Sequence, residues 1–527
     1  MEKRLILAVA LSILIIVTFQ HFFVKPPVST PPSAPGGKAA LRPSDEIVPK
    51  GPLPKRSIDE IEFSIETDRF VITFSDIGGA IKRVILKDYK KAGTNEPFTL
   101  LQVSDPKNYI FAFSTILNST LRDLLPYKGS KEDSAIIYSR KADDVEISKR
   151  YILHNTKHII ELQLLIKNLS YEPKEISYRM VGGAGIIEPS TRDIRLVEII
   201  SKVNDSIVKF KRVKENECII NPGIVNWTAL KSKYFSVILK PLDQTKAQYY
   251  SETKEDGFIN GIESSGVTIP PNSSVEHRFI LYLGPNQSSY LKEGGHDFSE
   301  TMTYGFFGGI SKILISILRF FYAIVKNWGI SIILLSIFLN IILFPLSVKS
   351  FQSIKKMQEL QPEMEKLKAQ YKSNPQKLNK ETMELYKKYK INPLGGCLPM
   401  LLQLPIFFAL YQALIRFIDL KDAKFLWIKD LSSPDAISIP FRLPLIGNSI
   451  NILPILMIIA MVIQQKISTK SMGTGVTREQ KEQQKLMMIL MPVMFGFIFY
   501  TMPSGLVLYW LVNTILTVVE QGAIFKK

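Results

Sequence analysis

Ser336, Asn340 and Ser347 interrupt one long apolar run, and on a helical wheel they lie within about 40° of one another. Asn513, Thr517 and Glu520 share a face of a second run, while Gln412 and Arg416 stand one turn apart in a third. Amides, hydroxyls and one guanidinium inside hydrocarbon are poor tools for covalent catalysis. They suit a hydrophilic stripe that faces a bundle interior or water and holds a polar segment weakly. Ordinary interhelical hydrogen bonding explains any single one of these residues. It explains Arg416 less well, because a charge at that depth costs at least a few kcal/mol unless it snorkels or is solvated.

Signatures of enzymes do not compete. None of the five histidines lies deep in a span, and no HExxH motif occurs. Ser504, in Pro503-Ser504-Gly505, has no histidine partner for a nucleophilic triad. No phosphate-cradling glycine loop precedes a Lys-Ser/Thr pair. The sequence therefore implies no enzyme, no metal and no cofactor. Met487, Met491 and Met494 form a flexible apolar stripe, read as core packing.

The elements that must position these residues divide sharply along the 527-residue chain, which carries a net charge of +18. Residues 1–24 hold an apolar run from Leu5 to Val24, about 20 residues and long enough to span a bilayer. Lys3 and Arg4 precede it, so it reads as an uncleaved signal anchor with a cytoplasmic N-terminus. Residues 25–57 are rich in Pro, Ser, Gly and Lys and read as a flexible linker. Period-two alternation follows at 69–75, 135–139, 145–152, 158–166, 235–239 and 277–283, with Gly78-Gly79 and Gly182-Gly183 as turns or bulges. A β-sandwich over 58–300, outside the membrane, is expected. Cys218 and Cys397 fall on opposite sides of the membrane in this reading, so no disulfide joins them.

An amphipathic helix over 306–326 follows, with Ile310, Ile313, Leu314, Ile317, Leu318 and Phe321 on one side, and it should lie in the membrane interface. Five further spans are expected at about 329–348, 398–419, 449–467, 486–502 and 506–524. Between the first two, residues 349–397 form a lysine-rich loop with eleven Lys and five Asp/Glu from Lys349 to Lys390. Its helical patterns at 351–371 and 376–391 flank Ser373-Asn374-Pro375 and suggest an antiparallel hairpin. It is either a solvated spacer or a docking platform, with Lys355, Lys356, Lys366 and Lys368 as candidate contacts. The basic loops and Lys526-Lys527 all fall on the side of the N-terminus, as the positive-inside rule requires. The expectation is a polytopic α-helical membrane protein with both termini cytoplasmic.

The strings Asn327-Trp-Gly-Ile-Ser331, Asn392-Pro-Leu-Gly-Gly-Cys-Leu-Pro399, Gln403-Leu-Pro-Ile-Phe407 and Pro503-Ser-Gly-Leu-Val-Leu-Tyr509 carry a resemblance. With the layout of the whole chain, they make it similar to the YidC family of membrane protein insertases, in the long form with a periplasmic domain. The resemblance implies a five-helix core (transmembrane helices 2–6, at 328–348 and within 398–524) around a hydrophilic groove open to the cytoplasm. It also implies a periplasmic β-supersandwich similar to sugar-binding folds and largely dispensable for insertion. Substrate-groove residues on this reading are Ser336, Asn340, Gln412, Arg416, Tyr509, Asn513 and Thr517. Asn392, Pro393, Gly395, Gly396, Cys397, Pro399, Gln403, Pro405, Pro503 and Gly505 are structural motif residues.

The family usually places an arginine where this chain has Asn340, and Arg416 is expected to supply that charge from across the groove. Implied partners are nascent membrane proteins, the Sec translocon, membrane lipids and, through the basic loops, the ribosome, with no specific nucleic acid sequence. The implied location is the bacterial inner membrane. The short tail after Phe525 lacks the basic extension that aids ribosome contact in some relatives. The competing reading is a transporter or channel with an external carbohydrate-binding domain. The spans show no internal repeat of the kind that many transporters carry.

Overall fold

The computed structural model describes residues 60–525, except 92–93, 103–111, 118–125, 133, 185, 187–195, 211–217, 244–246, 255–256, 303–304, 372–373, 390, 392–397, 444–446 and 471–477. The expected anchor, the linker, and Asn392, Pro393, Gly395, Gly396 and Cys397 lie outside the described residues. The chain divides into two compact units at Thr303–Tyr304.

The first unit is all-β apart from short helical turns near its end. A nine-stranded antiparallel sheet runs in the spatial order Ser206–Phe210, Glu198–Val203, Val225–Lys231, Phe235–Pro241, Ser274–Pro285, Ile159–Asn168, Val145–Leu153, Ala135–Ala142 and Lys128–Lys131. A four-stranded meander (Glu62–Glu66, Phe70–Ser75, Ala80–Lys90, Pro97–Gln102) and a five-stranded sheet that includes Tyr178–Gly183 and Gly257–Ser264 pack on it. These two meet through the bridges Ile81–Ala112 and Leu101–Ile186, so the unit is a two-layer sandwich. All six segments with period-two alternation are strands; Val145–Leu153 and Ile159–Asn168 bury alternate residues, whereas 235–239 is buried at every position.

The layers are joined by rings and by one polar chain. Phe98 stacks on Phe235 at 4.6 Å and Phe74 lies 5.0 Å from Tyr151. Asn260 accepts from the Gly183 amide (2.9 Å) and donates to Thr228 Oγ1 (2.9 Å), which meets Ser201 Oγ at 2.8 Å. A buried amide is tolerated there because its partners are supplied. Gly78 and Gly79 turn with positive φ, and a Cβ on Gly79 would lie 2.9 Å from Tyr138. Gly182-Gly183 falls at a register shift, a bulge.

The second unit is helical: α1 (Gly308–Val325), α2 (Trp328–Glu359), α3 (Gln361–Gln370), α4 (Pro375–Lys388), α5 (Leu398–Leu414), α6 (Ile452–Lys470), α7 (Arg478–Phe499) and α8 (Ser504–Phe525). Among the described residues, Gly308–Val325, Trp328–Met357 and Ser504–Ala523 are long and apolar enough to cross a membrane. The apolar parts of α5, α6 and α7 are shorter. Their shared core joins Leu314 and Leu318 to Leu335, Ala409, Ala413, Met457, Leu506 and Tyr509. Met491 and Met494 are half-buried on α7.

Several boundaries differ from the sequence reading; α7, expected at 486–502, begins at Arg478 and ends at Phe499. The helix expected to end at 348 continues to Glu359, because apolar Phe351, Ile354 and Met357 keep helical spacing after the membrane-length run stops. The break falls at Leu360, just before Pro362 near the start of α3. Within the hairpin, Tyr389 Oη donates to Glu363 at 2.7 Å and Thr382 Oγ1 meets Met364 Sδ at 3.5 Å, so α3 and α4 run antiparallel. The span expected to reach 419 ends at Leu414. There the backbone tightens into three-residue turns, Arg416 N to Ala413 O and Phe417 N to Leu414 O. Finally, a β-hairpin of Ile437–Leu443 and Gly447–Ile450 occupies a connection that the sequence reading left without elements.

Helix α1 has three stripes. Ser311, Leu314, Ile315 and Leu318 are buried, whereas Ile310, Ile313, Phe320 and Ile324 are exposed. Lys312, Ser316 and Arg319 lie on the remaining side. A helix at a water–lipid boundary presents both an apolar and a polar outer face.

Candidate functional site

Helix α8 carries Tyr509, Asn513, Thr517 and Gln521, each four residues after the last, and the spacing stacks them on one face. Each end of this ladder meets a different helix. Gln403 of α5 donates to Tyr509 Oη at 3.5 Å, and Asn340 Nδ2 of α2 donates to Asn513 Oδ1 at 2.5 Å. Ser468 Oγ of α6 donates to Gln521 Oε1 at 3.2 Å. Thr517 Oγ1 donates to its own helix, at Asn513 O (2.9 Å).

On α2, Ser336 is fully buried and donates to Ile332 O at 2.8 Å. Asn340 Nδ2 also donates to Ser336 O at 3.0 Å. Both amide protons of Asn340 are thus engaged, whereas among the described residues its own carbonyl and the Asn513 amide nitrogen have no hydrogen-bond partner. Asn340, Asn513 and Thr517 are half-buried. The neighbours of Asn340 on α2, Ile337, Phe338, Ile341 and Ile342, are exposed. Ser336 and Asn340 interrupt the otherwise apolar inner face of α2, and the outer face is apolar.

The end of the bundle where α2 and α8 begin is tied shut by backbone and carboxylates. Gly505 N donates to Leu431 O (2.9 Å) and Ser504 N to Ser433 O (2.8 Å). A Cβ on Gly505 would lie 3.1 Å from both Leu431 O and Ile332 Cδ1, so the residue after Ser504 must be small. The Asp430 carboxylate accepts from Asp422 N, Ser432 N and the hydroxyls of Ser432 and Ser433. Asp435 Oδ2 accepts from Trp427 Nε1 (3.1 Å) and Leu453 N (2.8 Å). Asn451 Nδ2 reaches Tyr500 O at 2.6 Å.

Ser336, Asn340, Tyr509, Asn513 and Thr517, read from sequence as groove residues, are brought into this assembly. Arg416 is not. It follows α5 beside Phe417, whose ring packs at 5.2 Å on Trp328 in the first turn of α2. Asn340 lies twelve residues further on, about 18 Å of helix rise. Arg416 therefore does not take the place of a charge at Asn340, because α5 ends at Leu414 before reaching it. Gln412 also points elsewhere, against Gly305, with its Oε1 buried.

Pro405 lies within α5, and Pro503 is buried at the turn into α8. Gln403, taken from sequence as a structural motif residue, is a rung of the ladder. Gln521 and Ser468 were missed, although Gln521 continues the four-residue spacing from Asn513 and Thr517. Lys355 and Lys356 are exposed on α2 and Lys366 on α3, across the break at Leu360. Lys368 lies on α3.

Family comparison agrees with this division into two units. Residues 62–317 match the family model described as YidC periplasmic domain, and 320–527 match 60Kd inner membrane protein. A membrane protein insertase YidC from Geotalea daltonii is 33% identical, over 100% of this chain and 99% of that protein. The chain belongs to the YidC membrane protein insertase family. Another member, from Geobacter metallireducens, is 31% identical over 100% of this chain and 98% of its own length. A crystal structure of an active YidC insertase aligns over 87% of this chain and 91% of its own, at 19% identity and a TM-score of 0.37. As a YidC-family protein the chain joins a β-rich domain to a helical membrane core.

Proposed function

We propose that this chain is a membrane protein insertase, and that the ladder of α8 with Ser336 and Asn340 of α2 is the hydrophilic path for the translocated part of its substrate. The observation that carries this reading is the Asn340–Asn513 pair. It places half-buried amide dipoles within helices that expose Ile, Val and Phe on their outer faces. A short polar segment of a nascent chain, entering hydrocarbon alone, would lose its hydrogen bonds to water at several kcal/mol per group. The amides and hydroxyls of the ladder replace part of that solvation. The substrate's apolar span then partitions into lipid, which drives the step. Binding must remain weak for the substrate to leave, and neutral groups meet that requirement.

In this reading the bundle end closed by Asp430, Asp435 and Gly505 faces the periplasm. The β unit lies on that side, and the lysine-rich hairpin and both termini lie in the cytoplasm. Residues 1–24 serve as anchor, 25–57 as tether, 58–300 as the periplasmic domain and 306–326 as the interfacial helix. Exposed Lys355, Lys356 and Lys366, with Lys368, offer an acidic partner such as the ribosome a contact, and the Sec translocon is a second partner. A transporter or channel would need a through-path, against which the bonded end formed by Leu431, Ser433 and Ser504 argues.

The test is reconstitution of the purified chain into liposomes with a small single-span substrate bearing a polar tail, read by protease protection. Insertion above that of empty liposomes is expected. Equal protection in both overturns the proposal.

A further inference from the structure

The connection from α5 to α6 contains a tight turn, Phe425-Leu426-Trp427-Ile428, closed by reciprocal backbone bonds: Phe425 N to Ile428 O at 2.9 Å and Ile428 N to Phe425 O at 2.8 Å. Leu426 occupies its first central position with φ 51°. That region suits glycine or asparagine, and a bulky residue there is a genuine outlier, held only where the surroundings impose it. Leu426 is nevertheless 76% exposed, so burial of its side chain does not account for its presence. Trp427 beside it is also exposed.

The turn is rigidly mounted. The Phe425 ring lies over Gly329, where a Cβ would come within 2.1 Å of it. The Asp435 carboxylate orients the Trp427 indole. Ile428 is buried in the helical core. Lys424 and Lys429 flank the tip, and both are exposed. Gly329 opens α2, Leu414 ends α5 and Ile452 begins α6, so the tip stands at the level where three helices of the bundle terminate.

We propose that Leu426 and Trp427 form a membrane-interface anchor, inserted at the headgroup–acyl boundary of the leaflet that surrounds this closed end of the bundle. Lys424 and Lys429 face lipid phosphates there. Aromatic and apolar side chains flanked by lysines favour that boundary. Together with the exposed Phe320 and Ile324 of α1, the tip gives the bundle a second apolar foothold, which sets its depth and tilt. The proposal rests on the membrane placement of the helical unit and not on the insertase activity.

The experiment uses the full chain with Cys218→Ser and Cys397→Ser, labelled at L426C with an environment-sensitive fluorophore and reconstituted into phosphatidylethanolamine vesicles with or without phosphatidylglycerol. A label at Y171C, an exposed site on the β unit, serves as the reference. The proposal expects the label at 426 to emit further to the blue, to be quenched by nitroxides near the lipid headgroup and to resist aqueous iodide. K424E with K429E should weaken the effect of phosphatidylglycerol. Leu426→Gly separates anchoring from folding. Glycine fits the turn, so thermal stability in detergent should not fall. Iodide quenching equal to that at Y171C overturns the proposal. So does protection from iodide without nitroxide quenching, which would mean that the β unit, a second copy or another protein covers the tip. A fall in the stability of Leu426→Gly would make the residue structural and overturn it as well.

Discussion

Replacing Asn340 and Asn513 together by leucine separates a path for polar substrate from a simple helix–helix tie. As a tie, the Asn340–Asn513 bond contributes about 0.6 kcal/mol and at most about 1.7 kcal/mol, the range found for hydrogen bonds between membrane helices. Both partners disappear together and leucine packs well in a bundle, so the thermal midpoint should barely move. As a path, the pair offers a passing segment the Asn340 carbonyl and the Asn513 amide nitrogen. Two such groups, at about 1 kcal/mol each, lower the crossing barrier by about 2 kcal/mol. Their removal should slow insertion about thirtyfold. The assay is initial-rate insertion of a single-span, polar-tailed substrate into proteoliposomes at matched protein levels, with Asn340→Leu and Asn513→Leu completing a double-mutant cycle. Each single variant leaves one amide facing leucine, so it should lose stability that the double variant regains. Insertion should fall furthest in the double variant. Normal insertion by a stable double variant would refute the ladder as the path. Activity that tracks the thermal midpoint across the cycle would reduce the pair to a tie.

Asp430→Ala removes the acceptor for two backbone amides and two hydroxyls, and should cost about 1–3 kcal/mol, seen as a lower thermal midpoint in detergent. Lys355→Glu, Lys356→Glu and Lys366→Glu combined should reduce co-sedimentation with ribosomes, with the remaining binding less salt-sensitive; unchanged binding removes the hairpin from that contact. His158 gives a pH prediction for the β unit. Its ring is buried among Phe70, Tyr282 and Tyr290, and burial, aided by the charge of Arg69, pushes its pKa down to about 4. The unfolded chain therefore takes up the proton first as pH falls. The stabilisation is complete above about pH 6.5 and is lost between about 6.5 and 4, by about 3 kcal/mol. His158→Leu should flatten that part of the stability-versus-pH curve for urea unfolding of the full chain, and an unchanged slope would contradict the assignment.

Strands such as Val145–Leu153 and Ile159–Asn168 were legible because they bury alternate residues, and alternation is the direct trace of that burial in sequence. The polar faces of α2 and α8 were legible for a related reason, since a polar residue in an apolar run is conspicuous. Gln521 was not, because it stands near the helix end, where polar residues are ordinary. Arg416 shows the opposite failure. Helical spacing extends through any residue, but a helix stops where other bonds satisfy the backbone. The three-residue turns at Arg416 and Phe417 and the 3.0 Å pairing of Asp419 with Arg319 stop α5 before the arginine. Likewise, the connection from Lys421 to Asn451 owes its order to Asp430, Asp435 and Asn451. Asp430 caps its own neighbourhood, whereas Asp435 and Asn451 bond backbone distant in sequence, at Leu453, Ala436 and Tyr500, and no local pattern records those bonds.

On the proposed path the two ends of α8 differ in how they are bonded. Near its start, Gly505 and Ser504 are bonded backbone to backbone with Leu431 and Ser433, contacts that leave no room for a side chain at 505. Further along, the rungs at Tyr509, Asn513 and Gln521 are single side-chain bonds to three separate helices, each weak enough to break and re-form. A segment entering from the Gln521 end could exchange partners rung by rung and would meet a closed end at Gly505. Gly505→Val should therefore disturb the closed end, where the contacts at 3.1 Å include a backbone carbonyl that a side chain cannot push aside easily. The expected signature is increased leakage of a small fluorophore from proteoliposomes, with folding retained in detergent. A tight, fully active variant would show that closure does not depend on this contact.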